Sequence, residues 1–271
     1  MFDIEAKKQI RQIIMIGSIC PFGAIPVRKE PAESSELETQ ALFGEVFYVL
    51  ESIPGWKLIR LEHDGSEGWV DEKTVIPADE NEIKRWLTAP AFIISTQCQK
   101  LIREPQKSVQ VISGGSRIVF NGEDLNSFVI GKREFYVQLA LSDRKPDLEE
   151  VAKCFLNAPY LWGGRTFMGI DCSGLTQIVF KIMGKNIPRN VSQQVECGSI
   201  ISFVEEAGPG DLAFFDDSEG TIIHVGICLG NGRIIHASGE VRLDYLDHQG
   251  IFNNEMQKYT YHLRVIKRII K

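Results

Sequence analysis

The period of the apolar pattern changes near residue 145, and no other feature of the chain limits its fold as much. Before that point, short apolar runs stop at glycine turns. Between Ile19 and Pro77 the segments GAIPVRKEP, TQALFGEVFYVLES and GWKLIRLEHDGSEGWV read as strands. Val46, Phe47, Tyr48 and Val49 suit a pleated, half-buried surface, and Leu58, Arg60 and Glu62 alternate with Ile59, Leu61 and His63. Gly55, Asp64-Gly65 and Gly68 supply turns. Strands this short and this closely spaced predict a small β barrel. The stretch DEKTVIPADENEIKRWL reads as a link with a helical turn. From Thr88 to Arg144 the same grammar recurs, with SVQVISGGSRIVF and SFVIGKREFYVQLA as strands around Gly114-Gly115 and Gly131. This predicts a second small β barrel; the alternative is one irregular β domain over residues 1–145.

Beyond Lys145 the spacing becomes helical. Leu148, Val151, Ala152 and Phe155 share a face, with Asp147 as N-cap. In DCSGLTQIVFKIMGK, Leu175, Ile178, Val179 and Ile182 share another, and Gly184 ends it. DLAFFD, TIIHVGICLGN, GRIIHASG and YHLRVIKRII follow as strands between Gly, Asn-Gly and Asp turns. Helices first and an antiparallel sheet afterwards make an α+β domain. The expected division is 1–87 for an N-terminal helix or extension and the first barrel, 88–145 for the second barrel, and 146–271 for the catalytic-type domain.

Charge excludes some partners. The net charge is −6 and no basic block stands out, which argues against nucleic acid. Asp3 and Glu5 precede an N-terminal apolar run that Lys7, Lys8 and Arg11 interrupt, so neither a secretory signal nor a membrane span is expected. The expected location is cytoplasmic. The six cysteines include no CxxC pair, and a reduced state is expected for all of them.

One cysteine stands apart. Cys172 opens a predicted helix, where unpaired amides and the dipole favour a thiolate. Gly169 and Gly174 allow close packing around it. His224 and His236 lie twelve residues apart within two strand-like runs joined by Asn-Gly. A hairpin puts both imidazoles on one face, with His224 placed to take the thiol proton and His236 to orient its ring. A three-ligand zinc site from Cys172, His224 and His236 is the metal alternative; nothing completes it, and no metal or organic cofactor is expected. His63, His248 and His262 read as surface or structural.

These blocks, PYLWGGRTFMGIDCSGLTQIVF, IPRNVSQQ, GPGDLAFFD and IIHVGICLGNGRIIHASG, together resemble the NlpC/P60 cysteine peptidases over about residues 146–271. The first 145 residues resemble the tandem bacterial SH3 domains that precede such a domain in its γ-D-glutamyl-L-diamino acid endopeptidases. The resemblance implies a papain-like catalytic domain behind two small SH3-like β barrels. It implies hydrolysis of the γ-D-Glu–diamino acid bond of murein peptides in cell-wall peptide recycling, with a small murein peptide as the partner. It also implies an oxyanion role for Tyr160, a cleft-lining role for Trp162, substrate-binding roles for Asp171, Ser173 and Ser192, and a glutamate from the first barrel, matched to Glu36. A tyrosine of that branch falls where this chain has Ser66, so weaker selectivity for the substrate's free amine is expected. A murein-fragment binding module with a vestigial site and an acyltransferase or amidase on the same fold are the competing readings.

Overall fold

The architecture is that of a computed structural model, which describes residues 16–122, 124–137 and 147–269. The N-terminal extension expected over residues 1–15 lies outside the described residues. The first unit is a six-stranded sheet in the order Ile16–Ile19, Val46–Ile53, Trp56–Leu61, Glu67–Asp71, Ala24–Arg28, Leu37–Leu42. The alternation read from the sequence sorts its faces: Ile59 and Leu61 are buried with Phe47, Val27 and Val70, while Arg60 is exposed.

The following link is longer than the single turn expected. Glu80–Thr88 is a nine-residue helix, started by Asp79, whose carboxylate accepts from the Glu82 amide at 2.9 Å. Its length comes from tertiary burial: Ile83 and Trp86, one turn apart, are both buried, and the Trp86 indole donates to the Gly44 carbonyl at 2.6 Å. The second β unit is a four-stranded antiparallel sheet ordered Ser127–Ile130, Arg133–Val137, Cys98–Arg103, Ser108–Ser113, with Phe92–Ile93 paired to Arg117–Ile118. Phe43 of the first unit packs edge-on against Phe128 and Phe135 of the second at 5.9 and 5.2 Å. One hydrophobic cluster therefore runs across residue 88.

The third unit is α+β. Six strands close into a ring: Asp211–Asp216, Ile222–Gly230, Arg233–Ser238, Glu240–Leu246, Gly250–Asn253 and Lys258–Arg268, the last pairing with both the fifth and the first. Ser199–Ile201 adds to the edge of the last strand. Ala213, Phe215, Cys228 and Ile234 fill the ring. Leu212, Phe214, Val225, Ile227 and Ile235 face outwards onto Leu175, Ile178 and Val179 of the Cys172–Ile182 helix.

A buried ion cluster fastens the first unit to the third. Glu45 receives the Arg165 guanidinium on both oxygens, at 2.8 and 2.9 Å, and the Lys181 ammonium at 2.6 Å. His63 and Asp64 border it; Gln177 donates to Asp64 at 2.8 Å and Arg165 meets the His63 ring at 3.0 Å. His63, read as surface or structural, is thus part of the seam. Burial alone would raise the Glu45 carboxyl, but Arg165, His63 and Lys181 outweigh it and hold it well below the usual carboxylate range.

A depressed carboxyl stabilises the fold at pH values above its unfolded pKa of about 4.3 and loses that contribution as pH falls. Glu45→Ala leaves two buried cations uncompensated and should lower the unfolding free energy by about 3–5 kcal/mol at neutral pH. Urea denaturation checks this, and the gap between wild type and variant should narrow as the buffer is taken below pH ~4.

Candidate active site

The site is built around the start of the Cys172–Ile182 helix. Asp171 is the N-cap, accepting from the Gly174 amide at 2.6 Å. Only a glycine fits at 174, since a Cβ there would lie 2.3 Å from the Gly164 carbonyl oxygen. The cap carboxylate does more than close the turn. It accepts from the Gly163 amide at 2.8 Å and the Ser173 hydroxyl at 3.2 Å, and it takes the Arg189 guanidinium at 3.0 and 2.5 Å. Arg189 also donates to Ser173 at 2.8 Å and, through Nε, to Thr39 of the first unit at 3.0 Å.

Cys172 is the first helical residue and is buried. The amides of Val225 and Ser173 point to its sulfur, so the strand that carries His224 runs past the thiol. Burial first, then the Asp171 charge, push the thiol up to about 12, against the help of those amides and of Arg189. Burial and the cap anion thus work against the thiolate that a helix start favours. Burial, with His236 second, takes His224 well below the usual histidine value. Both shifts favour the neutral forms, a thiol and an imidazole, which suits general-base attack.

His224 and His236 sit on the first two strands of a hairpin, both facing the ring interior. The His224 Nε2 and His236 Nδ1 atoms are 2.9 Å apart, and His236 Nε2 lies 3.0 Å from an Asp244 carboxylate oxygen. Arg242 donates to the same carboxylate at 2.8 Å. The Tyr261 ring stacks on His224 with centroids 3.9 Å apart. Gly226 lies opposite His236, and a Cβ there would come within 3.0 Å of the His236 Cβ and 2.6 Å of Ile234. The zinc alternative loses its third ligand here, because both His236 nitrogens are engaged.

In front of Cys172 lies a cleft of about 230 Å³. Tyr160, Trp162, Asp171, Cys172, Ser173 and Ser192 line it, together with Glu38 and Arg189. Burial, then the neighbouring Cys172 and Asp171, push the Tyr160 hydroxyl up to about 12, so it stays a donor at neutral pH. Glu36 is not in the cleft. It precedes the Leu37–Leu42 strand, its carbonyl bonds the Lys29 amide, and its carboxylate pairs with the Lys29 ammonium at 3.3 Å in solvent. Glu38, inside that strand, is the first unit's acid at the cleft. Asp171 and Ser173 line the cleft but are already bonded to Arg189, so neither is an open seat for an ammonium ion. Ser66 is not among the lining residues; its amide bonds Asp64. Sequence reasoning missed Arg189, Glu38 and Asp244. Arg189 lies in the quoted IPRNVSQQ block, three residues before Ser192, and that nearness was the signal available.

Two family models match the chain: the NlpC/P60 family over residues 157–264 and the bacterial dipeptidyl-peptidase Sh3 domain over residues 27–75. The γ-D-glutamyl-L-lysine dipeptidyl-peptidase of Bacillus subtilis is 30% identical over 221 residues, covering 74% of this chain and 72% of that protein. The protein of the same name from Bacillus cereus is 29% identical over 234 residues, covering 75% and 68%. The crystal structure of an NlpC/P60 family protein from Bacillus cereus shares the fold, with a TM-score of 0.77 at 20% identity over 94% of this chain and 100% of that one.

A neutral resting pair has a pH signature. Alkylation of Cys172 by iodoacetamide should climb steadily from roughly pH 6 to 9, without the plateau at acid pH that a low-pKa thiolate gives. Mass spectrometry of the labelled peptide checks this.

Proposed function

The chain belongs to the NlpC/P60 family of cysteine peptidases, and from that premise we propose that it hydrolyses the γ-D-Glu–diamino acid bond of short murein peptides, L-Ala-γ-D-Glu-meso-diaminopimelate or its Lys analogue. The activity named for its Bacillus relatives, γ-D-glutamyl-L-lysine dipeptidyl-peptidases, supports this substrate class. The observation that carries the reading is the cleft itself: Cys172 lines it, Ile222 and Ile223 bring in the strand that continues to His224, and Arg189 and Glu38 lie in the same lining. A cation and an anion in one lining suit a ligand that bears a free carboxylate and a free ammonium.

Cys172 Sγ attacks the γ-carbonyl of D-Glu while His224 takes the thiol proton. The tetrahedral oxyanion accepts from the Tyr160 hydroxyl and the Cys172 amide. His224 returns the proton to the leaving amine of the diamino acid, and water then cleaves the thioester with His224 again as base. His236 orients the His224 ring. Arg189, with Ser192 beside it and held by Asp171 and Ser173, faces the D-Glu α-carboxylate; Glu38 faces the L-Ala ammonium; Trp162 forms the outer wall. In this reading residues 88–145 are a second SH3-like barrel between a first unit ending near residue 87 and a catalytic domain starting near 146. The enzyme works in the cytoplasm on recycled peptides, a setting that the six free thiols suit. Among the described residues no helix is long and apolar enough to cross a membrane.

Cys172→Ala should abolish tripeptide hydrolysis while leaving the melting temperature near that of wild type. N-acetylation of L-Ala removes the charge that Glu38 faces and should lower kcat/KM by about tenfold, the worth of one charge-assisted contact. Glu38→Gln should erase the difference between free and acetylated peptide. Rejection of the acetylated peptide by more than about a thousandfold would overturn the weak amine selectivity, because one lost contact does not supply that factor.

A further inference from the structure

We propose that Asp244 is a positioning residue that sets the tautomers of both histidines and thereby selects Nδ1 of His224 as the catalytic base. The inference rests on His224 being the base in the reading above. It follows from a chain of hydrogen bonds whose only fixed end is Asp244.

Asp244 is buried inside the ring, 5% exposed. It receives Nε of Arg242 at 2.8 Å and an Arg242 Nη at 3.3 Å, and Arg242 is in turn held by Glu255 at 3.1 Å. Burial alone would raise the Asp244 carboxyl, but hydrogen bonds from His236 and Arg242 outweigh it and keep it below the usual range. An ionised carboxylate only accepts. The 3.0 Å contact with His236 therefore puts a proton on His236 Nε2. Burial, against the pull of Asp244, lowers His236 and keeps it neutral, so its Nδ1 has a lone pair and must accept. The atom 2.9 Å away is His224 Nε2, which must then carry the proton of that contact. His224 is neutral too, which leaves its lone pair on Nδ1. Without Asp244 the relay can run backwards: His236 carries its proton on Nδ1, His224 accepts at Nε2, and Nδ1 of His224 holds a hydrogen and cannot act as a base.

The other groups around the relay do not set this direction. Tyr261 presents its ring to His224, and its hydroxyl pairs with Ser238 at 3.0 Å. Phe215 adds a ring at 5.8 Å from His224. When Cys172 Sγ passes its proton to His224 Nδ1, the imidazolium formed faces the Asp244 charge through His236. The carboxylate stays ionised, and no proton leaves the relay.

The test uses full-length protein labelled with 15N-histidine and long-range proton–nitrogen spectra, alongside Cys172 alkylation and peptide kinetics. In wild type, His224 and His236 should both show Nε2–H and bare Nδ1 at neutral pH. Asp244→Ala should move His236 toward Nδ1–H. It should slow alkylation and lower kcat by about 10² or more at little-changed KM, in the range seen when a triad carboxylate that fixes a tautomer is lost. Asp244→Leu has a similar volume and no acceptor, so it decides the matter if the alanine variant does not fold: His236 Nε2 then has nothing to donate to, and the same nitrogen shifts should move. A purely structural role would lower the melting temperature and leave the ring nitrogens unchanged, and that result overturns the proposal. So does a variant with wild-type tautomers and alkylation rate. If wild type fails to cleave the tripeptide, the substrate reading falls, while the spectra and the alkylation still decide the role of Asp244.

Discussion

The ion pair between Asp171 and Arg189 is the contact on which the cleft depends. One carboxylate caps the nucleophile's helix, holds the Gly163 amide of the neighbouring loop and anchors a guanidinium that also reaches Ser173 and Thr39. Four separate stretches of chain meet at these two side chains. The pair also sets the chemistry. Its anion sits one residue before the thiol and opposes ionisation, while its cation partly offsets that charge. The balance favours the protonated sulfur, the form that a general base serves.

The histidines belong to a different structural element. Cys172 opens a helix packed against the outside of a closed strand ring, whereas His224, His236 and Asp244 face its inside. The backbone links the two surfaces, because the amide of Val225, adjacent to His224, points to the Cys172 sulfur. The ring shields the imidazoles from water, which keeps them neutral. The absence of a Cβ at residue 226 lets His236 come close enough to its neighbour.

Local periodicity made the catalytic helix, its Asp171 cap, its Gly184 stop and the histidine hairpin readable in the sequence. Each rests on residues within a few positions of one another. What escaped was set by contacts between distant segments. Arg189 finds Asp171 eighteen residues away, and Arg165 finds Glu45 at a separation of 120. No spacing rule links such pairs. Glu36 and Glu38 are both acids in one short stretch; the boundary between loop and strand decides which faces the cleft, and boundaries are weakly encoded. The helix Glu80–Thr88 was underread for a related reason, since its stability comes from burying Trp86 against Gly44 and Phe128.

The Glu45 seam also says what shortening this chain would do. A version reduced to residues 147–269 would lose Glu38 from the cleft lining, and it would also turn Arg165 and Lys181 into bare cations at a freshly exposed apolar face and deprive Arg189 of Thr39. Such a fragment would be stickier and less soluble than its charge count implies, and its cleft floor would be looser. The barrel ahead of the peptidase unit is thus part of the enzyme's own folding core, in the way a subunit is part of an obligate dimer.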